Sequence, residues 1–273
     1  DEERYREFIE WQITEGIDGL VPCGTTGESA TLTHEEHENV IKICIDQAKG
    51  RVPVIAGAGS NNTREAIRLT RFAKEVGADA ALHITPYYVK PTQQGLFAHM
   101  KAIADEVDMP LIVYNVPGRT SVSVAPKTMA RMYKEIPNVI GAKEATGDMC
   151  YVSDVLEYCG EGFPLLSGDD FTVLPSLILG GIGVISVVSN VVPAKMAGMC
   201  AAFRKGDIET AKKLHYEMMP LNRACFVETN PIPVKTALAK MGRMESEMRL
   251  PLVPMLPEND KILDDALRAL ALL

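Results

Sequence analysis

The sequence lacks the features that mark several large functional classes. None of its six cysteines forms a CxxC pair, and its start shows no basic segment followed by an apolar one. It has no apolar run of about 18 residues or more, the length a membrane helix needs. The net charge of −8 argues against nucleic acid or an anionic membrane as the main partner. We therefore expect a cytoplasmic protein with structural thiols and no disulfide framework or zinc site.

Linkers and low-complexity tracts are also missing, which favours a single core. The chain has 273 residues, of which 47% are hydrophobic and 23% charged, so it can bury a large core. Barrels built from alternating strands and helices often reach ~250 residues as one domain. The length therefore fits one such domain.

Strand-like apolar runs alternate with amphipathic helices, which predicts parallel strands. The candidate strands are Gly19–Cys23, Val52–Ala58, Ala78–Thr85, Pro110–Val116, Val139–Lys143, Pro164–Ser167 and Gly183–Val188. The GxGxxG fingerprint of an open dinucleotide-binding sheet is absent, and polar residues cluster where strands end. We predict an α/β fold, a (β/α)8 TIM barrel, over residues 1–205. Residues 206–273 are predicted to form a C-terminal helical appendage packed on the barrel.

The strand count falls one short of eight, because the chain opens on an amphipathic helix, Glu3–Glu15. A parallel barrel lacking a strand exposes two edges. We therefore expect the first strand to be missing from this chain, with an open or patched barrel as the alternative.

Lys143 ends one candidate strand and is the first candidate for chemistry. Alternation places it on the same face as Gly141. If that face is the barrel interior, loss of hydration lowers the lysine pKa, and a neutral amine can attack a ketone. Tyr114 ends the preceding strand and could act beside the amine as a proton donor and acceptor. The alternatives are a lysine that reaches solvent and a tyrosine that only packs.

Two turns carry polar groups suited to a carboxylate. Pro117–Arg119 presents a guanidinium, which binds carboxylates with two parallel hydrogen bonds. In Gly24–Glu28, two glycines let the backbone approach a ligand, and Thr25 and Thr26 offer hydroxyls. A surface arginine and an ordinary turn remain the alternatives.

Two histidines, His34 and His37, lie at the start of a predicted helix. No third metal ligand is evident, so a solvated helix start is favoured over a metal site. Asn230–Lys235 is interpreted as a rigid turn that feeds a helix, with Lys235 as an ordinary helix residue.

Taken together, these residues resemble the dihydrodipicolinate synthase family, within the pyruvate-dependent class I aldolase superfamily. The resemblance runs from about Tyr5 to the C-terminus. It rests on seven motifs in order: Cys23–Ser29, Pro53–Gly57, Thr85–Tyr88, Tyr114–Thr120, Gly141–Gly147, Leu166–Asp170 and Asn230–Lys235. The family also begins with a strand and a Thr-Pro turn that this chain lacks.

The resemblance implies a role for each matching position. Lys143 forms an imine with pyruvate, without any cofactor or metal. Tyr114, Thr25 and Tyr88 relay protons, and Tyr88 reaches into the site of a neighbouring subunit. The remaining implied substrate-binding positions are Thr26 and the backbone at Ile185 for the pyruvate carboxylate, Arg119 for L-aspartate 4-semialdehyde, and Gly168 in the pocket lining.

Lysine-inhibited members of the family imply a second site. The matching positions are Ser29, Ala30, His34, His37, Asn61, Glu65 and Tyr87. We therefore expect feedback inhibition by L-lysine. The family also implies a homotetramer made of two tight dimers.

Two alternatives stay open. N-acetylneuraminate or keto-deoxy sugar acid lyases of the same superfamily share the lysine and tyrosine, but they usually lack an arginine in the turn of Arg119. A non-catalytic lysine-binding barrel would keep the same residues by descent. Arg119 and Thr26 favour the synthase.

Overall fold

A computed structural model describes all residues from 1 to 273 as a parallel α/β arrangement. The strands are β1 Ile55–Gly57, β2 Ala80–Ile84, β3 Leu111–Asn115, β4 Val139–Glu144, β5 Leu165–Ser167 and β6 Gly183–Val184. They form one sheet in the order β1-β2-β3-β4-β5-β6, and each neighbouring pair is parallel. Strand order that follows chain order is what repeated right-handed crossovers produce.

Helices connect the strands and continue to the C-terminus. They are α1 Glu2–Thr14, α2 His34–Ala48, α3 Thr63–Glu75, α4 Gln93–Glu106, α5 Pro117–Thr120, α6 Pro126–Glu135, α7 Met149–Cys159, α8 Val173–Leu179, α9 Pro193–Arg204, α10 Ile208–Ala224, α11 Ile232–Lys240 and α12 Pro257–Ala269. Short 3-10 helices cover Ser29–Thr31 and Val188–Asn190. No helix combines the length and apolar character that crossing a membrane requires.

Local sequence signals explain where helices begin. A capping box begins α2: Thr33 Oγ1 accepts from the Glu36 N–H, and the Glu36 carboxylate accepts from the Thr33 N–H. At α3, the Asn62 side chain accepts from the Arg64 N–H. Pro193 occupies the first position of α9, where its missing N–H costs no hydrogen bond.

Three of the predicted strands differ most from the structure, and Val52–Ala58 forms a strand only over Ile55–Gly57. Gly19–Cys23 is not a strand: only Leu20 forms an isolated bridge. Pro22 cannot donate to a ladder, and Cys23 adopts a left-handed φ of 56°, so the extended run stops there. The run predicted as Gly183–Val188 forms a strand only over Gly183–Val184, because Ser186 Oγ accepts from the Ser189 N–H and begins a 3-10 turn.

The residues form two compact units. One consists of Pro53–Ile185 and holds all six strands with α3 to α8. Within it, β3 is buried along its whole length, as expected of a strand covered by helices. The other consists of Asp1–Val52 and Ser186–Leu273 and holds α1, α2 and α9 to α12. The division expected after residue 205 stays a prediction.

Candidate active site

Lys143 and Tyr114 are brought together by strand pairing. They are register partners between β4 and β3, and Lys143 Nζ lies 4.2 Å from the centroid of the Tyr114 ring. Tyr114 is buried and Lys143 is half-buried, so the amine lies in a protein environment that solvent can still reach. The predicted neighbourhood of amine and phenol is therefore present in the unit Pro53–Ile185.

The surroundings of Lys143 favour its neutral form. Desolvation is the main cause, and together with the Arg119 charge it lowers the pKa of Lys143 from 10.5 to about 8, against the opposing effect of Asp170. With a pKa near 8, about a tenth of the amine is neutral at pH 7, against less than about a thousandth for an ordinary lysine. A neutral amine can attack a carbonyl carbon, so the residue is suited to form an imine.

Gly168 lies directly against the lysine side chain. A Cβ added at this position would lie 3.0 Å from Lys143 Cε, 3.1 Å from Lys143 Cγ and 2.7 Å from the Ala145 Cβ. The Gly168 N–H donates to the Glu144 carbonyl oxygen at 2.6 Å, which fixes the loop after β5 beside β4. The absence of a side chain here leaves room for the extended lysine.

Arg119 is presented by a short helix next to β3. Pro117 opens α5 with its preset φ, and Ser121 ends the helix in a left-handed conformation. Arg119 is exposed, whereas the following Thr120 is buried and accepts a hydrogen bond from Thr85 Oγ1 at 3.2 Å. The guanidinium is therefore displayed to solvent on an anchored segment, close enough for its charge to act on Lys143.

Ile185 follows β6, and its N–H donates to the Ser167 carbonyl oxygen at 2.9 Å. This bond continues the pairing of β5 with β6 by one residue. The Ile185 N–H is therefore already used within the unit.

Tyr88 protrudes from the loop after β2. Its relative exposure is 88%, the largest of any bulky apolar or aromatic side chain, and its φ is 69°. A tyrosine that is exposed in a left-handed conformation is uncommon and is typical of functional loops. The position suits a residue that acts outside its own chain.

Thr25 and Thr26 belong to the other unit, in the turn from Gly24 to Glu28. The turn is closed by the Gly27 N–H, which donates to the Gly24 carbonyl oxygen, and by the Glu28 N–H, which donates to the Thr25 carbonyl oxygen, both at 3.1 Å. The Thr26 hydroxyl accepts a hydrogen bond from Asn230 Nδ2 at 3.0 Å. Asn230 is buried, so its hydrogen bond fixes the orientation of the Thr26 hydroxyl.

Glu28 and Lys235 form an ion pair that the sequence did not reveal. Their side chains are only 6% and 17% exposed, and the carboxylate also accepts from the Arg249 N–H at 3.0 Å. The interpretation of Lys235 as an ordinary helix residue is therefore wrong.

The residues expected to bind lysine fall into two groups. In the unit Pro53–Ile185, Asn61 Nδ2 donates to the Tyr87 carbonyl oxygen at 3.3 Å, and Glu65 accepts from Ser60 Oγ. Burial is the main cause that raises the pKa of Tyr87, and the Glu65 charge adds to it. Asn61, Glu65 and Tyr87 are therefore neighbours.

The second group lies in the other unit. Ser29 and Ala30 begin a 3-10 helix, and His34 opens α2. His34 is exposed, whereas His37 is buried and its carbonyl oxygen accepts from Cys23 Sγ at 3.5 Å. No group of three or more His, Cys, Asp or Glu side chains is arranged to hold a metal ion.

Comparisons with known proteins agree on one family. The model of the dihydrodipicolinate synthetase family matches residues 1–270. A 4-hydroxy-tetrahydrodipicolinate synthase from Nitratidesulfovibrio vulgaris strain DP4 is 67% identical over 273 residues, which cover 100% of this chain and 94% of that protein.

Two solved structures carry ligands in related proteins. The chloride-inhibited dihydrodipicolinate synthase of Acinetobacter baumannii, complexed with pyruvate, is 45% identical with a TM-score of 0.97 over 100% of this chain and 94% of its own. The enzyme of Cyanidioschyzon merolae with lysine bound is 38% identical with a TM-score of 0.97, over 100% and 93% of the two chains. These matches confirm the predicted α/β fold class: the chain shares the barrel fold of these relatives, and the structure shows six parallel strands and twelve helices of it.

Proposed function

The chain belongs to the dihydrodipicolinate synthetase family, whose members are enzymes of the class I aldolase type, and from this premise we propose that it condenses pyruvate with L-aspartate 4-semialdehyde. The product, 4-hydroxy-tetrahydrodipicolinate, lies on the route to diaminopimelate and lysine. The observation that carries the proposal is the position of the Lys143 amine, which has a lowered pKa and lies beside the Tyr114 ring.

The reaction begins when the neutral Lys143 amine attacks the ketone carbon of pyruvate. The resulting carbinolamine loses water and becomes an iminium ion, which draws electrons from the methyl carbon next to it. Loss of a proton from that carbon gives an enamine, and the enamine carbon attacks the aldehyde carbon of the second substrate. The amino group of that substrate then displaces Lys143, closes the ring and frees the enzyme.

Proton transfers accompany each of these steps. Tyr114, whose ring centroid lies 4.2 Å from Lys143 Nζ, serves as donor and acceptor, while Thr25 and Tyr88 complete the relay. In this proposal Tyr88 acts in the site of a neighbouring subunit, which fits its 88% exposure. Assembly is proposed as a homotetramer of two tight dimers, and the location as cytoplasmic.

Carboxylate recognition separates this activity from that of the related lyases. Thr26 holds the pyruvate carboxylate, Ile185, whose N–H already donates to the Ser167 carbonyl oxygen, lines the pocket beside it, and Gly168 leaves space for the imine. Arg119, exposed on an anchored segment, binds the carboxylate of L-aspartate 4-semialdehyde. Sugar-acid lyases of the same superfamily usually lack an arginine at this position.

Feedback inhibition by L-lysine is part of the proposal. The inhibitor site combines Asn61, Glu65 and Tyr87, which are neighbours in the structure, with Ser29, Ala30, His34 and His37. Support comes from the lysine-bound relative and from the anionic Glu65, which suits an ammonium group.

Borohydride trapping with pyruvate tests the enzyme claim. The reductant converts the imine into a stable amine, so peptide mass spectrometry should find the added pyruvyl mass at Lys143. A Lys143→Met variant should take up none, whereas Lys127→Met, a lysine on α6, should label like the unaltered chain. Absence of label at Lys143 would point instead to the non-catalytic lysine-binding barrel.

Substrate choice needs a second assay. Condensation of pyruvate with L-aspartate 4-semialdehyde should proceed, and cleavage of N-acetylneuraminate or of a keto-deoxy sugar acid should not. The reverse result would assign the chain to the sugar-acid lyases.

A further inference from the structure

Asn115 and Glu144 form the next register pair beyond Tyr114 and Lys143, at the ends of β3 and β4. Successive residues of a strand point to opposite faces, so this pair lies on the other side of the sheet from the amine. Both side chains are buried, with exposures of 0% and 4%. Two polar groups in such a place require satisfied hydrogen bonds.

The hydrogen bonds of this pair fix which groups donate and which accept. Glu144 Oε2 accepts from Asn115 Nδ2 at 2.9 Å, and Glu144 Oε1 accepts from the Thr146 N–H at 2.5 Å. Both Glu144 carboxylate oxygens accept from N–H groups, so the Asn115 amide turns its NH2 group toward Glu144. The Asn115 oxygen therefore points away from Glu144, and it accepts from the Val124 N–H at 3.0 Å.

Val124 ends the stretch of chain that carries Arg119. This stretch leaves β3 at Asn115, passes through α5 and returns at Val124, so the Asn115 side chain closes its base. The Val124 carbonyl oxygen accepts from the Tyr151 hydroxyl, which holds the same point from α7. Movement at Val124 would therefore displace the segment between Asn115 and Val124, which carries Arg119.

We propose that Asn115 and Glu144 are a positioning pair, in which Glu144 sets the orientation of the Asn115 amide and Asn115 holds the Arg119 segment for the carboxylate of the second substrate. The proposal rests on the proposed function for the identity of that substrate. Neither residue needs to touch a reacting atom. Their effect should therefore appear in the KM for the aldehyde substrate more than in the capture of pyruvate.

Glu144→Gln directly tests the donor and acceptor roles in this pair. The new amide must place its NH2 group against either Asn115 Nδ2 or the Thr146 N–H, so a buried donor faces another donor. If Asn115 turns over to accept, its own NH2 group then faces the Val124 N–H. We expect the KM for L-aspartate 4-semialdehyde to rise about tenfold or more, while the rate of pyruvate trapping changes by no more than about threefold.

The exchanged pair, which combines Asn115→Asp with Glu144→Gln, should rescue the enzyme. The NH2 group of the new glutamine then donates to one oxygen of the new aspartate, and the other aspartate oxygen accepts from the Val124 N–H. The glutamine oxygen accepts from the Thr146 N–H, so all three hydrogen bonds return with one carboxyl group and one amide group, as before. The KM should come back to within about threefold of the unaltered value, whereas Asn115→Asp alone should resemble Glu144→Gln.

Glu135→Gln, at the exposed end of α6, is the matched control. It should leave the KM for L-aspartate 4-semialdehyde and the rate of pyruvate trapping unchanged. A Glu144→Gln variant with an unaltered KM, or an exchanged pair no better than the single variants, would overturn the proposal. If Glu144→Gln fails to fold, comparison of the exchanged pair with Asn115→Asp decides in the same way.

Amide hydrogen exchange makes the test independent of the substrate. Exchange at Val124 should accelerate in Glu144→Gln and recover in the exchanged pair, and unchanged exchange in the single variant would refute the positioning role. If the unaltered chain forms no imine with pyruvate, the proposed function fails, while the exchange result still decides whether Glu144 and Asn115 hold the Arg119 segment.

Discussion

Lys143 Nζ lies 4.2 Å from the centroid of the Tyr114 ring, and the two residues are partners in the register between β4 and β3. The main-chain hydrogen bonds of parallel strands set the spacing of such partners. The spacing of the two backbone positions that carry the amine and the phenol is therefore fixed by the sheet rather than by a loop. A site built this way is preorganised for proton transfer beside the nucleophile.

The pH dependence of imine formation should report the lowered pKa of Lys143. Only the neutral amine reacts, so the initial rate of borohydride trapping with pyruvate should rise with pH and level off above about 8. An ordinary lysine would show this rise near ~10.4. A midpoint close to that ordinary value would contradict the desolvated environment assigned to Lys143.

Two variants should move this midpoint in opposite directions. Asp170 favours the charged amine, so Asp170→Asn should shift the midpoint to lower pH. Arg119 disfavours the charged amine, so Arg119→Ala should shift it to higher pH, by a smaller amount because Arg119 is exposed. Trapping profiles of the two variants provide the measurement, and shifts of the same sign would disprove the assignment of charges.

The same pKa predicts that Lys143→Met stabilises the fold. The lysine pKa is about 8 in the folded state and ~10.4 when unfolded, so the unfolded chain binds more protons between these values. The destabilisation is therefore complete below about pH 8 and disappears as the pH rises toward 10.4. After allowance for the partial exposure of Lys143, urea denaturation at pH 7 should show that Lys143→Met raises the free energy of unfolding by roughly 1–3 kcal/mol. This increase should be smaller at pH 10. An increase in the free energy of unfolding that does not depend on pH would indicate that better packing of the methionine, and not removal of the charge, is the cause.

Gly168→Ala should displace the nucleophile. The added methyl group would lie 3.0 Å from Lys143 Cε and 2.7 Å from the Ala145 Cβ, closer than carbon atoms tolerate. We expect trapping with pyruvate to slow about tenfold or more, with a loss of roughly 1–3 kcal/mol in stability. Gly198→Ala, in α9, is the control, because a Cβ there meets Leu214 Cδ1 of α10 at 3.5 Å, an ordinary contact. Equal trapping rates in the two variants would argue against a tight fit at Gly168.

Most of the sheet could be predicted because its strands are short apolar runs bounded by Gly or Pro. The prediction was wrong at Gly19–Cys23, where the left-handed backbone of Cys23 ends the extended run. An apolar pattern specifies which side chains can be buried, but it does not specify the backbone angle at one residue. The same limit shortened β6, where a Ser186 side-chain hydrogen bond turns the chain.

Within the candidate site, strand ends pointed to Lys143 and Tyr114, because side-chain alternation acts over two or three residues. Asp170, Asn230 and Glu144 were not singled out, because their roles depend on contacts between distant segments. Glu28 and Lys235 lie 207 positions apart, and only the folded chain shows that the two charges meet. Partners of this kind are set by tertiary packing, to which local patterns are insensitive.

Breaking the buried pair of Glu28 and Lys235 should weaken the turn that carries Thr25 and Thr26. Glu28→Gln leaves the Lys235 ammonium without its charged partner in a place where only 17% of that side chain is exposed. We expect the free energy of unfolding, measured by urea denaturation, to fall by about 2–4 kcal/mol. The condensation should also be slower. Glu36→Gln is the matched control, since its pair with Arg249 is exposed, and it should leave the melting temperature nearly unchanged. Similar losses in both variants would show that burial of Glu28 contributes little.

Lysine inhibition should depend on Glu65 without involving the catalytic lysine. Glu65 lies in the first turn of α3, and its charge reaches Tyr87, so it offers an anion beside a phenol and the Asn61 amide. An ammonium ligand would be held mainly by this carboxylate, and loss of the charge in Glu65→Gln should raise the half-inhibitory lysine concentration about tenfold or more, equivalent to about 1.4 kcal/mol.

Pyruvate trapping and uninhibited turnover should be unchanged in Glu65→Gln, because no step of the condensation uses Glu65. Glu75→Gln, at the exposed C-terminal end of the same helix, should leave inhibition intact. If both variants respond to lysine like the unaltered chain, the inhibitor binds elsewhere. If lysine does not inhibit even the unaltered chain, the feedback proposal fails while the synthase proposal stands, because inhibition and imine formation are assigned to different residues.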